Sequence, residues 1–257
     1  MSRNNNEENK EELKKKRIKK IKNKIKRFKL PKDRLLVFPN PDKFDHEHWN
    51  PKRSKLNICT PFRALICGPP SSGKTVVAHN LILYQGCDNS KGNNKPFEEI
   101  YVIHIDKSKE YDLCGAKLLY DIPDKNSWND KKKLVILEDL LFRDLNKKSK
   151  HNLLHLLKYI STHKNTSVII NIQDMFCINE TIVRRCCNLF ILFPTIDYTS
   201  LNVISNKIGL KKGELKLLFD TFCKSQHDSI WIDLTDNMKS PYKLRLNGFQ
   251  VINRIVK

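Results

Sequence analysis

No stretch of this 257-residue sequence approaches the roughly 18 consecutive apolar residues that a membrane-spanning helix needs. The N-terminal region is highly charged and has no apolar core segment, so a secretory leader is not expected. The eight cysteines contain no CxxC pair and no regular spacing, which favours a reducing, intracellular setting over a disulfide framework. No internal repeat is present. Acidic residues are in short supply: 48 Lys and Arg stand against 28 Asp and Glu, a net charge of +20. What is there is a hydrophobic fraction of 39%, enough for one sizeable core with appendages in a chain of this length.

The basic excess is unevenly spread. Residues 1–30 hold 13 Lys or Arg and 4 Glu, or +9, and the remainder carries +11. The run KKKRIKKIKNKIKRFK has too few apolar residues to pack a core, and Ile18, Ile21 and Ile25 share a face only if it becomes helical. A basic arm that meets nucleic-acid phosphates is the preferred reading. A solvated tail and a nuclear localisation signal are the alternatives. Pro31, Pro39, Pro41, Pro51 and Pro61 mark residues 31–61 as an extended lead-in. The expected organisation is therefore arm 1–30, lead-in 31–61 and a folded domain 62–257, with 198–257 as a helix-plus-hairpin extension.

Within the folded part, apolar runs predict strands at 62–67, 98–105, 133–141, 166–173 and 188–193. Helices are expected at 74–85 and 149–162, the latter from Leu153, Leu156, Leu157 and Ile160 at helical spacing. Residues 107–131, polar and broken by Pro123, read as an irregular excursion. Strands alternating with helices imply an α/β fold with a mostly parallel sheet covered on both faces.

Between the first strand and the first helix lies ALICGPPSSGKTVVAHNLIL, which contains the pattern G-x-x-x-x-G-K-[ST] without a mismatch. A strand, a glycine loop and a helix are the context this phosphate-binding loop requires. Gly68, Pro69, Pro70, Ser71, Ser72, Gly73, Lys74 and Thr75 would cradle the β- and γ-phosphates of ATP at a helix N-terminus rich in unpaired N–H donors. Lys74 adds a positive charge, and Thr75 offers its hydroxyl to Mg²⁺. The third strand, LVIL, ends in Glu138-Asp139. By position Glu138 would hold the metal and Asp139 would activate the attacking water, an order reversed from the familiar Asp-Glu. Gln173 ends the fourth strand, where P-loop ATPases with an inserted central strand place a γ-phosphate sensor.

Other features read as packing. His151 and His155 share a helix face but lack the intervening Glu of a zinc-protease pattern. Cys186 and Cys187 flank a buried strand, and Trp231 and Tyr242 sit in apolar alternations near a late hairpin.

The ordered set FRALICGPPSSGKT, LVILEDLL, STHKNTSVIINIQD, INETIVRRCCNLFILF and IWIDLTDNMKSPYKLRLNG resembles one family over roughly residues 60–250. It is the poxvirus-type branch of the FtsK–HerA superfamily, the genome-packaging ATPases of large DNA viruses and of related Polinton/Maverick transposons. The resemblance implies a RecA-like P-loop domain that hydrolyses ATP with Mg²⁺ and moves double-stranded DNA without sequence preference into a capsid. It also implies a homo-oligomeric ring, a capsid portal or vertex protein as partner, and a site of action in a host nucleus, a cytoplasmic virus factory or a virion. In this family an Arg follows the strand-end Gln by some ten residues. Arg184 matches, as a finger reaching the γ-phosphate of a neighbouring subunit, with Arg185 as the alternative. Two departures are Thr162-His163 in place of the common Arg-His, and the Glu-Asp order. A nucleotide-dependent switch with negligible turnover, such as a domesticated or decayed copy, is the competing reading. A small kinase is disfavoured by the early acid pair and by the lack of an acceptor-pocket motif.

Overall fold

The apolar runs on either side of the glycine loop become strands of one sheet. The computed structural model describes residues 58, 61–85, 97–104, 111, 115–139, 144–173, 181–195, 198–207, 210–235 and 244–252. The basic arm, nearly all of the proline-rich lead-in and Tyr242 lie outside the described residues.

Nine strands are described: β1 (Arg63–Cys67), β2 (Glu99–Ile103), β3 (Lys117–Leu119), β4 (Lys133–Glu138), β5 (Thr166–Ile172), β6 (Leu189–Leu192), β7 (Ile230–Asp233), β8 (Leu244–Leu246) and β9 (Gln250–Val251). They form a sheet of order β3-β2-β4-β5-β1-β6-β7-β8-β9. The strands from β3 to β6 in that order are parallel, and β7, β8 and β9 each add antiparallel to the strand before. β5 therefore lies between β1, which feeds the glycine loop, and β4, which ends in the acid pair.

Every residue of β4 and β5 is buried, as expected for central parallel strands covered on both faces. Alternate side chains enter two cores. Leu65, Val135, Leu137, Val168 and Ile170 join one, and Ala64, Ile66, Leu134, Ile136 and Ile169 the other. Helix α1 (Lys74–Gln85) covers the second face with Val77, Ala78, Leu81 and Ile82. The first face is covered by Leu153 of α2 (Lys147–His155), by Leu156, Leu157 and Ile160 of a π-helical segment (Leu156–Ile160), and by Leu201, Ile204, Leu215 and Phe219. Each such Val, Leu, Ile or Phe side chain withdrawn from water contributes about 1.5–3 kcal/mol before chain entropy is set against it.

Three details depart from the sequence expectations. The excursion at 107–131 contains an ordered edge strand, β3, and a 3-10 turn at Lys125–Ser127. β3 has no alternation of its own and is a strand through its pairing with Tyr101–Ile103. The third strand stops at Glu138, so Asp139 lies beyond it. The helix expected at 149–162 starts earlier, where Asn146 accepts the Ser149 N–H at 2.8 Å as an N-cap. It then widens into the π segment before a last turn, α3 (Ser161–His163). There Ser161 and Thr162 hydroxyls donate to the carbonyls of Leu157, Lys158 and Tyr159, competing with the regular backbone ladder.

The remaining helices are α4 (Thr181–Cys186), α5 (Tyr198–Lys207) and α6 (Glu214–Phe222). Among the described residues no helix is long and apolar enough to cross a membrane. Trp231 is fully buried and its indole N–H donates to Ser229 Oγ at 2.9 Å, a core residue as its alternation implied. Cys187 is buried beside β6, while Cys186 is only half-buried.

Candidate functional site

β1 delivers the chain to the glycine loop, and α1 carries it away. Gly68 is required by a close approach: a Cβ there would lie 2.6 Å from Phe193 Cβ and 2.9 Å from Ser72 Oγ. Phe193 follows β6 and is pinned by its N–H donating to Cys67 O at 2.9 Å. Gly73 has φ +106, a conformation that side chains disfavour, and Ser71 takes the left-handed region at φ 60. Ser72 N–H donates to Pro69 O at 3.3 Å, and Val77 N–H to Gly73 O at 2.9 Å begins the helix ladder. The Lys74 ammonium donates to the Gly68 and Pro69 carbonyls at 2.9 and 3.0 Å and is buried, which places a positive charge inside the loop.

Glu138 closes the other side. The ladder sets it opposite Asn171 of β5. Its Oε1 accepts from Thr75 Oγ1 at 2.9 Å, and its Oε2 from Tyr111 Oη at 2.9 Å and Asn171 Nδ2 at 2.6 Å. Burial pushes this carboxyl above its ordinary range, the three hydrogen bonds pull it back, and the neighbouring Asp139 charge adds to the rise. Thr75 and Glu138 fit a Mg²⁺ ion. Oxygens at about 2.0–2.1 Å on adjacent octahedral positions stand about 2.9 Å apart. That is the separation of Thr75 Oγ1 and Glu138 Oε1. Three further buried polar atoms, Ser72 Oγ, Asn80 Oδ1 and Asn171 Oδ1, have no protein partner, and Ser72 and Asn80 line the cavity that Glu138 borders.

Asp139 and Gln173 are exposed and leave their strands side by side, because β5 neighbours β4. Asp139 sits at φ 45, in the left-handed region that Asp tolerates better than most residues. Both line a cavity of about 480 Å³ together with Pro70, Ser71, Ser72, Gly73, Lys74, Thr75 and Glu138. Val76, Val77, Asn80, Phe193 and His227 complete the wall. Gly68 and Pro69 hold the loop from behind, through the carbonyls that bind Lys74.

Arg184 is not brought to this cavity. α4 ends at Cys186, whose carbonyl accepts from Arg63 Nε at 2.5 Å, and Arg63 is the first residue of β1. A five-residue strand spans about 16 Å, so Arg184 and the exposed Arg185 lie towards the opposite edge of the sheet from the loop.

Sequence reading missed Tyr111, Asn171 and His227. Asn171 had a signal, a lone amide inside VIINI. Tyr111 and His227 had none, because each arrives from a segment distant in sequence.

The chain is similar in structure to B204, the DNA-packaging ATPase from Sulfolobus turreted icosahedral virus. The match has a TM-score of 0.53 at 17% identity and covers 75% of this chain and 98% of that one. The fold is that of a RecA-like P-loop NTPase. The genome-packaging NTPase B204 from Sulfolobus turreted icosahedral virus 2, in complex with sulfate, is also similar. There the TM-score is 0.52 at 15% identity, over 73% of this chain and 96% of that one. At these identities what is shared is the P-loop fold, and it agrees with the FtsK–HerA resemblance carried by the motifs. No family model matches the chain, and no curated protein matches it in sequence.

Proposed function

We propose that this chain is an ATP-hydrolysing motor that moves double-stranded DNA into a capsid, working as a homo-oligomeric ring. One observation carries the reading: the inserted strand β5 brings Gln173 into the same cavity as Lys74, Thr75, Glu138 and Asp139. A phosphate cradle, a metal-fitting pair and two polar groups for an attacking water are what phosphoryl transfer to water requires. The loop N–H groups and Lys74 hold the phosphates, and Thr75 with Glu138 would hold Mg²⁺. Mg²⁺ held there would supply positive charge against the charge of the phosphate groups. Asp139 takes the proton of the water that Gln173 orients.

Support for a DNA partner comes from charge. Besides the arm at 1–30, residues 147–165 hold Lys147, Lys148, Lys150, Lys158, Lys164 and three histidines but no acid, and of these Lys148 and Lys164 pair with Asp124 and Asp130. There the exposed Tyr159 stacks on His163 and lies tilted against His155, with ring centroids 4.4 and 5.1 Å away. Lysines interleaved with exposed rings suit a phosphate backbone read without sequence preference. The deciding experiment measures ATP turnover with and without duplex DNA. A motor shows DNA-stimulated turnover that salt suppresses; a rate that DNA leaves unchanged overturns the motor reading. The nucleotide-switch reading draws on Asp139, which sits off the strand at φ 45 rather than on it. ATP binding without measurable turnover would favour that reading.

A further inference from the structure

His227 reaches the glycine loop from just before β7, 155 residues further along the chain. Its Nδ1 lies 3.1 Å from the Ser72 carbonyl oxygen, which can only accept, so Nδ1 carries the proton. Nε2 is then free to accept, and the Gln226 side-chain amide stands 3.3 Å from it. The imidazole also abuts the next residue, since a Cβ on Gly73 would meet Nδ1 at 3.9 Å.

The turn that presents this ring is braced from both sides. Asp228 Oδ2 accepts from the Lys224 and Ser225 N–H groups at 2.8 and 2.9 Å. Its Oδ1 accepts from Asn247 Nδ2 at 2.8 Å, while Asn247 Oδ1 accepts the Ser229 N–H at 2.8 Å. Asn247 takes φ 51 in the turn after β8 to make this bridge. The His227 N–H itself donates to Ser225 Oγ at 3.2 Å. The brace ties His227 to the antiparallel end of the sheet.

We propose that His227 is a positioning residue of the nucleotide site, latching the Ser72–Gly73 peptide in its phosphate-binding orientation. In a trans peptide the C=O and the following N–H point in opposite directions. Fixing the Ser72 carbonyl on His227 therefore fixes the Gly73 N–H on the opposite side of that peptide, within the loop that lines the cavity. Gly73, at φ +106 and without a side chain, offers little resistance to a flip of that peptide by itself. The latch supplies the resistance, and it makes the β7–β8 end of the fold part of the nucleotide site.

This inference rests on the nucleotide-binding reading above, and the test separates the two. Affinity for ATP with Mg²⁺ is titrated on the full chain for wild type, Lys74→Ala, His227→Ala, His227→Phe and His227→Asn. Phe keeps a ring without a donor, and Asn places an amide N–H near the Nδ1 position. Expected are a loss of about tenfold in ATP affinity for Ala and Phe, the effect of one hydrogen bond, and recovery of most of it by Asn. KM rises with kcat within about twofold, because the loop's grip on ground state and transition state weakens equally. The melting temperature without nucleotide falls by no more than a few degrees, the share of one hydrogen bond. Wild-type affinity in His227→Phe overturns the latch alone, as does His227→Asn binding no better than His227→Ala. A lowered nucleotide-free melting temperature with unchanged affinity also overturns it, leaving a purely structural contact. Wild-type protein that fails to bind ATP, or binds it as Lys74→Ala does, overturns the nucleotide reading and the latch with it.

Discussion

Strand β4 carries a buried charge at each end, and the surroundings treat the two ends in opposite ways. Lys133, at its start, is 1% exposed, and its ammonium donates to Asn129 O, Asn129 Oδ1 and Lys131 O at 2.6, 2.8 and 2.6 Å. Three donors meet three acceptors. Burial lowers the lysine's pKa, against the raising effect of Glu99, Asp130 and Glu98. Glu138, at the other end, is also buried and hydrogen-bonded, but it borders an open cavity whose wall includes buried oxygens without protein partners. A buried charge that is fully satisfied braces the fold; one set beside spare acceptors and open space is equipped to bind. In this sense the edge holding Lys133 and Arg63 is the closed one, its charges paired within the chain, and the edge holding Glu138, beside the cavity, is the open one.

The largest expected effect lies at the open edge. Lys74→Ala removes the cation inside the loop and should lower ATP turnover about a thousandfold, roughly 4 kcal/mol of barrier. Steady-state turnover checks this, with circular dichroism to verify the fold. Turnover within tenfold of wild type would mean the cavity is not an ATPase site.

Arg184 tests whether the closed edge serves a neighbour's open one. Arg184→Ala should cost about a hundredfold or more in turnover, because an arginine supplied in trans stabilises charge in the transition state. Mixed with Lys74→Ala subunits, it should regain part of the activity that each lacks alone, through interfaces pairing one intact loop with one intact arginine. A mixture that co-assembles and recovers nothing would remove the role in trans.

The third prediction sets the two ends of β4 against each other. Glu138→Gln should slow turnover at least tenfold while leaving the melting temperature unchanged or raised, since a neutral amide is less costly to bury. Lys133→Met should do the reverse. It leaves three acceptors unpaired, costs about 2–4 kcal/mol in denaturant unfolding, and keeps turnover per folded molecule at the wild-type level. Equal stability losses in the two variants would erase the distinction between brace and site.

The smallest effect is electrostatic and belongs to the closed edge. Hydrogen bonds from Asn129 and Tyr101, with Lys131 beside them, hold the Glu99 carboxyl down at about 2, from an ordinary 4.5. A depressed pKa means stabilisation that is fully present above pH 4.5 and is lost as pH falls through about 2. Acid unfolding of Glu99→Gln should therefore show a shallower pH dependence in that window. A slope equal to wild type would mean that Glu99 is not held by these partners.

Much of the site was legible in the sequence because local chemistry determines it. Gly68, Gly73, Lys74 and Thr75 form a pattern whose geometry is built within eight residues. Glu138 and Gln173 stand at the ends of apolar runs, and in parallel strands those ends share one edge of the sheet. Less legible was anything held by partners distant in sequence. β3 is a strand because β2 offers it an edge, and the third strand stops at Glu138 because Asp139 turns into the left-handed region at φ 45.

The sequence by itself determined the α/β alternation, the phosphate loop, the identity of the acids and the basic character, because each depends on residue type and short spacing. Tertiary structure alone decided that β5 lies between β1 and β4, so that Gln173 faces the acids. It decided that Gly68 answers to Phe193, that Tyr111 and Asn171 share Glu138, and that His227 meets Ser72 across 155 residues of chain. Those contacts depend on the order in which strands pair, which is set by the summed burial of two cores and by no single stretch of sequence.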